Sequence, residues 1–334
     1  MIRTLALICL PLPAFAEVKV VTDIAPIHSL TQMIMGDTGK AHLLLPPGAN
    51  AHHFQFRPSD GQVLQDADVV VMVGPALTPW LADPVDTLAS SAMVLTLAET
   101  EGWTKREMRS EGGHEDHGDD HKDHDDHGHE DHDDHKEEGE DHAGHDDHDH
   151  EDHAEHDDHG HDADHAEGNI DPHGWLDPDT ARVWAAEIGN QLSEADPDNA
   201  ATYAANLETV QAMTQDLEQQ ITDILSDAGP IIWPHDGYQY FEARFKLDAH
   251  GSISDAHAAT PGPARIGELQ EIIADDGITC VLTDAEINGD WVNLVIEGSD
   301  AGTAFIDSLG ADLEPGSDLY PAMMLKLARA IADC

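Results

Sequence analysis

Residues 111–167 carry a run of histidine and acidic residues that cannot form a hydrophobic core. These 57 residues include 17 His, 27 Asp or Glu and only two Lys. With so few apolar side chains to offset the entropy of ordering, the segment is predicted to stay largely disordered in water. An acidic spacer needs no histidine, whereas imidazoles beside carboxylates suit Zn²⁺ and similar ions. The segment therefore predicts weak metal sites at His114, His117, His121, His124, His127, His129, His132, His135, His142, His145, His148, His150, His153, His156, His159, His161 and His165.

The first 16 residues have the three parts of a secretory signal peptide. Arg3 gives a charged start, residues 4–12 form a short apolar run, and Ala14-Phe15-Ala16 is a small-x-small cleavage site. We expect the mature chain to begin near Glu17 and to be exported as a soluble protein outside the cytoplasm. No later apolar run approaches the roughly 20 residues that are needed to span a bilayer.

Removal of this signal peptide leaves two cysteines, Cys280 and Cys334. In an oxidising compartment two remaining thiols are expected to pair, so we predict a disulfide that ties Cys334 to an interior strand. The alternative is that both are zinc thiolates, but neither cysteine has a nearby Cys-x-x-Cys partner.

The chain is strongly acidic, and this limits its partners. The formal net charge is -53, of which the histidine-rich segment supplies -25, its 27 acidic residues less two Lys. The remaining 277 residues therefore still carry -28. A charge of this sign excludes nucleic acid and favours a cation or a basic protein surface.

Short β-rich runs alternate with amphipathic stretches on both sides of the acidic segment. This alternation is typical of parallel sheets covered by helices, and it predicts two doubly wound α/β lobes, at 17–195 and 229–334. The predicted strands are 18–22, 41–45, 69–73, 93–97, 230–233, 247–250, 278–283 and 303–309. The predicted helices within the lobes are 29–35, 59–67, 179–192, 263–274 and 318–332.

A single long helix is predicted between the lobes, within residues 196–228. Apolar residues recur at steps of three and four from Tyr203 to Ile224. About 30 helical residues would span roughly 45 Å, which predicts a stiff connector.

Three of the eight histidines outside the acidic segment lie in turn-rich stretches near predicted strand ends. His52 follows the strand 41–45, His173 lies in Asp171-Pro172-His173-Gly174, and His235 follows the strand 230–233. Ligands of doubly wound sheets bind beyond the carboxyl ends of the strands, so the three imidazoles could meet in one cleft. Any one of them alone is more often structural, and we expect a structural or surface role for the other five, His28, His42, His53, His250 and His257.

At these motifs the chain resembles the metal-binding solute-binding proteins of ABC importers, and most closely their zinc-uptake branch of the ZnuA type. The resemblance extends over nearly the whole mature chain. The matching motifs are Gly48-Ala49-Asn50-Ala51-His52 with Arg57-Pro58-Ser59-Asp60, Asp171-Pro172-His173 with Trp175-Leu176-Asp177-Pro178, and His235-Asp236-Gly237-Tyr238-Gln239-Tyr240-Phe241.

The resemblance implies that His52 and His173 from the first lobe and His235 from the second bind Zn²⁺ as the transported ligand. It also implies delivery to an inner-membrane ABC permease with a cytoplasmic ATPase, and we expect a monomer. Some zinc members have Glu just before the first His, where this chain has Ala51. The fourth position is expected to hold water, and the alternatives are a His from the histidine-rich segment or a nearby carboxylate such as Asp284.

Three other functions remain open at this point. A manganese- or iron-binding homologue is disfavoured because the manganese branch usually has Glu where this chain has His235, and an Asp where Asn288 stands. A zinc hydrolase would also use an open metal position, but the sequence has no His-Glu-x-x-His helix. A periplasmic zinc buffer that acts through the histidine-rich segment alone would not require two ordered lobes.

Overall fold

The computed structural model describes residues 17–109 and 170–334. The predicted signal peptide and the histidine-rich segment, with its 17 candidate ligands, lie outside the described residues. The described parts of both lobes belong to one compact unit. Within them, no helix combines the length and the apolar character that a membrane span requires.

The first lobe is built on four parallel strands. Its elements in chain order are β1 (Val20–Thr22), α1 (Ala25–Met35), β2 (His42–Leu43), α2 (Pro58–Gln65), β3 (Val69–Met72), α3 (Pro79–Leu88), β4 (Met93–Thr96) and α4 (Pro178–Ala195). The strand order is β2-β1-β3-β4. Every side chain of β3 is buried, and alternate residues enter two separate apolar clusters. This is the pattern of a parallel strand that is covered on both faces.

The second lobe repeats the same topology. Its elements are β5 (Ile231–His235), α6 (Gln239–Phe245), β6 (Ala249–Ser254), α7 (Pro263–Asp276), β7 (Cys280–Thr283), α8 (Gly289–Val295), β8 (Gly302–Phe305) and α9 (Leu319–Ala332). The order is β6-β5-β7-β8, again parallel throughout. The two sheets confirm the predicted fold class. In each lobe the strand order reverses between the two central strands, because one connects outward to one edge of the sheet and the other to the opposite edge. The carboxyl ends of such a central pair are where these folds bind ligands.

One helix links the two sheets, as predicted, but it is shorter than the sequence suggested. α5 covers Ala200–Ile224 and spans roughly 38 Å at 1.5 Å per residue. A tighter 3-10 turn at Pro197–Asn199 precedes it. The side chain of Asp196 accepts a hydrogen bond from the Tyr203 hydroxyl at 2.7 Å.

The two lobes share an apolar core and several specific contacts. α9 of the second lobe packs against α1 and α5. The Tyr320 hydroxyl on α9 donates to the Trp175 carbonyl at 2.9 Å, and the Tyr320 backbone N–H donates to Ser29 Oγ at 3.0 Å. Arg244 Nε and Nη2 donate to the two carboxylate oxygens of Asp177 at 2.6 and 2.8 Å. A paired contact of this kind fixes orientation as well as distance.

A disulfide joins Cys280, the first residue of β7, to Cys334, which follows α9, with a Cα–Cα distance of 5.8 Å. The predicted pairing is confirmed. Because β7 is a central strand of its sheet, the bond anchors the end of the chain to the interior of the second lobe.

Reduction of this disulfide is expected to destabilise the protein by about 4 kcal/mol, the chain-entropy value for a loop of this length. The sequence separation is 54 residues. Urea unfolding of the oxidised protein and of the Cys280→Ser/Cys334→Ser variant would measure the difference. Zinc affinity should change little, and equal unfolding midpoints for the two proteins would contradict the prediction.

Candidate metal centre

The three predicted histidines lie side by side, although they come from three separate segments. His52 is in the loop between β2 and α2, His173 precedes the 3-10 turn Gly174–Leu176, and His235 is the last residue of β5. The ring centroids of His52 and His173 are 5.5 Å apart, and those of His173 and His235 are 5.7 Å apart. All three side chains are buried. The structure therefore brings together the residues that the sequence motifs singled out.

The loop of His52 is held by one side-chain amide. Asn50 Oδ1 accepts the backbone N–H groups of His52 and His53 at 2.8 and 2.9 Å, and Trp80 Nε1 donates to the Ala51 carbonyl at 2.7 Å. Burial, reinforced by His173 and His235, lowers the pKa of His52 to about 3. His52 is therefore neutral at physiological pH. Its buried Nε2 has no hydrogen-bond partner among residues 17–109 and 170–334.

Asp171 orients His173. Its Oδ1 accepts the His173 backbone N–H at 2.9 Å and the ring Nδ1 at 2.7 Å. Burial alone would raise the pKa of Asp171, but the adjacent His173 outweighs it and lowers this pKa below the usual value. With Nδ1 directed at a carboxylate, Nε2 is the ring nitrogen that is left to bind a metal. This carboxylate–imidazole arrangement is the usual support of a metal-bound histidine.

Asp284 gives His235 the same support. Its Oδ2 accepts His235 Nδ1 at 2.8 Å and the Tyr238 hydroxyl at 3.2 Å, while its Oδ1 accepts the backbone N–H groups of Glu286 and Ile287. Burial works to lower the pKa of His235, but Asp284, with Glu286, raises it overall. Both oxygens of Asp284 thus accept hydrogen bonds from other groups, and Oδ2 lies on the Nδ1 side of the His235 ring.

Two residues of the cluster were not singled out from the sequence. Glu286 Oε2 lies 3.4 Å from His235 Nε2, on the side of the ring away from Asp284. A Cβ atom on Gly237 would lie 2.3 Å from His235 Nε2 and 3.1 Å from His173 Cε1. Only glycine allows the backbone to approach the two rings so closely. For Glu286 the available signal was its position just after β7, the strand beside β5, at the sheet edge where ligands bind.

The donors are neighbours but have not converged on a single point. In this conformation the described residues hold no group of three or more His, Cys, Asp or Glu side chains already arranged to bind a metal ion. With Zn–N bonds of about 2.0–2.1 Å, two imidazole centroids in a tetrahedral site lie about 5.2 Å apart. The observed ring separations exceed this by only a few tenths of an ångström. These two ring separations are therefore close to those of a tetrahedral zinc site.

The remaining histidines take positions mostly as expected. His28 is buried on α1, with Nε2 3.1 Å from the Ala41 carbonyl, and His42 is exposed on β2. His250 on β6 pairs with Asp248 and Asp276. His53 and His257 are exposed and flank His52, with ring centroids 6.4 and 5.7 Å from it. The proximity of His257 to the cluster was not anticipated.

Asn288, which entered the argument against manganese, caps α8 by accepting the Asp290 N–H.

Comparison with known proteins identifies the family. Residues 20–334 match the family ZnuA, described as "Zinc-uptake complex component A periplasmic". The chain belongs to this family. It is 39% identical over 321 residues to the high-affinity zinc uptake system protein ZnuA of Brucella abortus (strain 2308), covering 94% of this chain and 91% of that protein. It is 38% identical over 329 residues to the protein of the same name from Paracoccus denitrificans, covering 97% and 94%.

Solved structures share the fold across almost the whole chain. A crystal structure of ZnuA has a TM-score of 0.70 at 19% identity and covers 96% of this chain and 99% of that one. The periplasmic zinc-binding protein TroA from Treponema pallidum has a TM-score of 0.71 at 15% identity, with 95% and 99% covered. A ZnuA deletion mutant with zinc bound has a TM-score of 0.68 at 20% identity, with 95% and 98% covered.

Proposed function

We propose that this chain is the periplasmic receptor of a zinc uptake system, which captures Zn²⁺ between its two lobes and delivers it to an ABC permease. His52, His173 and His235 are the proposed ligands. The observation that carries the proposal is the proximity of these three buried imidazoles from both lobes, two of them with Nδ1 held by a carboxylate. Membership in the zinc-uptake family supports the same cargo.

The donor set favours zinc over harder ions. Imidazole nitrogen suits Zn²⁺ in a four-coordinate site, whereas manganese prefers more oxygen ligands. The carboxylates of Asp171 and Asp284 lie behind the rings and raise the basicity of the nitrogens that face the ion. The relatives in Brucella abortus and Paracoccus denitrificans are named as zinc uptake proteins.

Release of the ion is proposed to involve local movement around His235 and not a wide opening of the lobes. The pair between Arg244 and Asp177 spans the two lobes, as does the contact of Tyr320 with Trp175. The apolar core is also continuous between the lobes. A large hinge motion would have to break all of these contacts together, whereas His235 lies at the end of a strand, where a short segment can shift.

The cellular setting follows from the family and the sequence. We propose that residues 1–16 direct export, that the mature protein works as a monomer in the periplasm, and that it presents its loaded cleft to an inner-membrane permease with a cytoplasmic ATPase. The acidic histidine-rich segment is proposed to gather or sense zinc. The competing function is a zinc buffer that acts through the 17 imidazoles of this segment alone.

Zinc titration of the full chain and of a variant that lacks the histidine-rich segment distinguishes the receptor function from the buffer function. We expect the full chain to bind one Zn²⁺ tightly and several more with micromolar-class affinity, because the segment holds no four ligands in a fixed geometry. Deletion of residues 114–165 should remove the weak events and keep the tight one, as measured by isothermal titration calorimetry. Loss of the tight event in the deletion variant would favour the buffer.

A further inference from the structure

Arg109 joins the two lobes beside the metal cluster. It lies on the first-lobe chain, two residues before the histidine-rich segment begins, and its guanidinium group contacts two acidic residues of the second lobe. Nη2 donates to Glu242 Oε2 at 2.8 Å, and Nη1 lies 3.4 Å from Asp236 Oδ1. Among the lysines and arginines that the structure describes, only Arg109 pairs with either carboxylate.

These two contacts lie on either side of His235. Asp236 follows His235 in the chain. The Oε2 atom of Glu242 that accepts from Arg109 also accepts from Trp233 Nε1 at 3.1 Å, and Trp233 lies two residues before His235 on β5. Arg109 therefore holds the ligand-bearing end of β5 both before and after the proposed zinc ligand.

The backbone that carries Arg109 is anchored beside Asp171, the carboxylate that orients His173. Glu107 forms an antiparallel bridge with Ile170, and Asp171 is the next residue in the chain. Arg109 thus connects the first-lobe segment that positions His173 to the ligand-bearing end of β5 in the second lobe.

Asp236 depends on this cation because its carboxylate is buried. Its side chain is only 9% exposed, and Oδ1 receives no hydrogen bond from the described residues. Burial alone would lower the pKa of Arg109, but the charges of Asp236, Glu242 and Asp171 raise it overall. A buried carboxylate that loses its cation either moves toward water or remains at a high cost in free energy. Movement of Asp236 displaces His235 as well, because the two residues share a peptide bond.

We propose that Arg109 is a positioning residue of the zinc site, which holds His235 in place and slows release of the ion; this rests on the proposed function of His52, His173 and His235. Metal–ligand distances tolerate a change of only about 0.2 Å, so a small displacement of His235 weakens its bond to zinc. The charge of Arg109 acts in the opposite direction, because it repels Zn²⁺. That repulsion is small, since Arg109 is paired with two carboxylates and is 37% exposed to solvent.

The rate of zinc release from the full chain tests this role. Protein loaded with less than one equivalent of Zn²⁺ is mixed with excess chelator, and the slow phase of release reports the tight site. We expect Arg109→Gln to release zinc at least about fivefold faster than the wild type, somewhat less than the 10- to 100-fold loss that follows removal of a direct partner of a metal ligand. Lys105→Gln is the matched control. It removes the same charge from the same stretch of chain, but Lys105 pairs with the exposed Glu101 and should not affect the rate.

Three roles of Arg109 predict three different results. Positioning of His235 predicts faster release in Arg109→Gln. A purely structural role lowers the melting temperature but leaves the release rate unchanged, and a purely electrostatic role makes release slower, because a repelling charge is removed. Either of the last two results would overturn the proposal.

A double variant tests whether Arg109 acts through Asp236. Removing both partners of a buried ion pair leaves no uncompensated charge, whereas removing one partner does. Arg109→Gln/Asp236→Asn should therefore release zinc more slowly than Arg109→Gln, although it has lost an attractive negative charge near the ion. Release from the double variant that is as fast as from Arg109→Gln, or faster, would contradict the proposal.

The two proposals fail in different ways. If the wild-type chain shows no slow phase of release, the proposed function is contradicted. If the wild type releases zinc slowly and Arg109→Gln does so at the same rate, only the role of Arg109 is wrong.

Discussion

Replacement of His52, His173 or His235 by Ala is expected to weaken tight zinc binding by at least about tenfold in each case. Loss of even a supporting partner of a metal ligand costs 10- to 100-fold in affinity, so loss of the ligand should cost at least as much. Calorimetry should show the tight phase reduced or absent in each variant, while the weak phase assigned to the histidine-rich segment stays.

The matched control is His250→Ala. His250 lies on β6 in the same lobe as His235, but it pairs with Asp248 and Asp276 and not with the cluster. Its loss should leave the tight phase unchanged. An unaltered tight phase in any one of the three cluster variants would remove that residue from the ligand set.

The order of strands and helices could be predicted from the sequence because hydrophobic periodicity reports which residues are buried. β3 is a run of apolar residues with both faces covered, and it was predicted within one residue. α3 was missed because Pro84 lies inside it, and proline is normally read as the end of a helix. α6 and α8 were missed because each has only seven residues, too few for a clear period.

Strand β6 shows how tertiary contacts override local preference. The sequence predicted a strand at 247–250, but β6 covers Ala249–Ser254. Gly251 and the serines that follow have low β propensity, so they were not counted as strand. They are held by pairing with β5, where the register shifts between Ile231 and Trp233, and Gly251 adopts a φ of +103°. Such an irregularity depends on the partner strand and is not visible in the local sequence.

The candidate site, like the fold, could be predicted only in part from the sequence. His52, His173 and His235 could be found because each lies in a turn-rich motif near a strand end. The roles of Asp171 and Asp284 could not, because a carboxylate that orients a ring has the same sequence signature as one that binds an ion. Asp284 and Glu286 approach different nitrogens of the His235 ring, and the backbone after β7 decides which one each reaches.

Gly237→Ala is expected to abolish tight zinc binding as effectively as loss of His235, although it removes no donor. The added Cβ would lie 2.3 Å from His235 Nε2 and 2.8 Å from His235 Cδ2. Non-bonded atoms pack at about 3.5 Å, so the ring must move by about 1 Å. Metal–ligand distances tolerate only about 0.2 Å, so the nitrogen leaves the coordination sphere.

The zinc-dependent shift in melting temperature should distinguish loss of the metal site from unfolding of the protein. A ligand that binds only the native state raises its melting temperature, so wild-type protein should melt at a higher temperature with zinc than without it. Gly237→Ala lacking residues 114–165 should show almost no zinc-dependent shift, whatever its own melting temperature. Gly267→Ala in the same background is the control, because it lies on α7 with nothing within 4 Å of the added Cβ. That variant should keep the full shift, since Ala is favoured over Gly inside a helix. A full zinc-dependent shift in Gly237→Ala would show that the backbone at 237 does not set the position of His235.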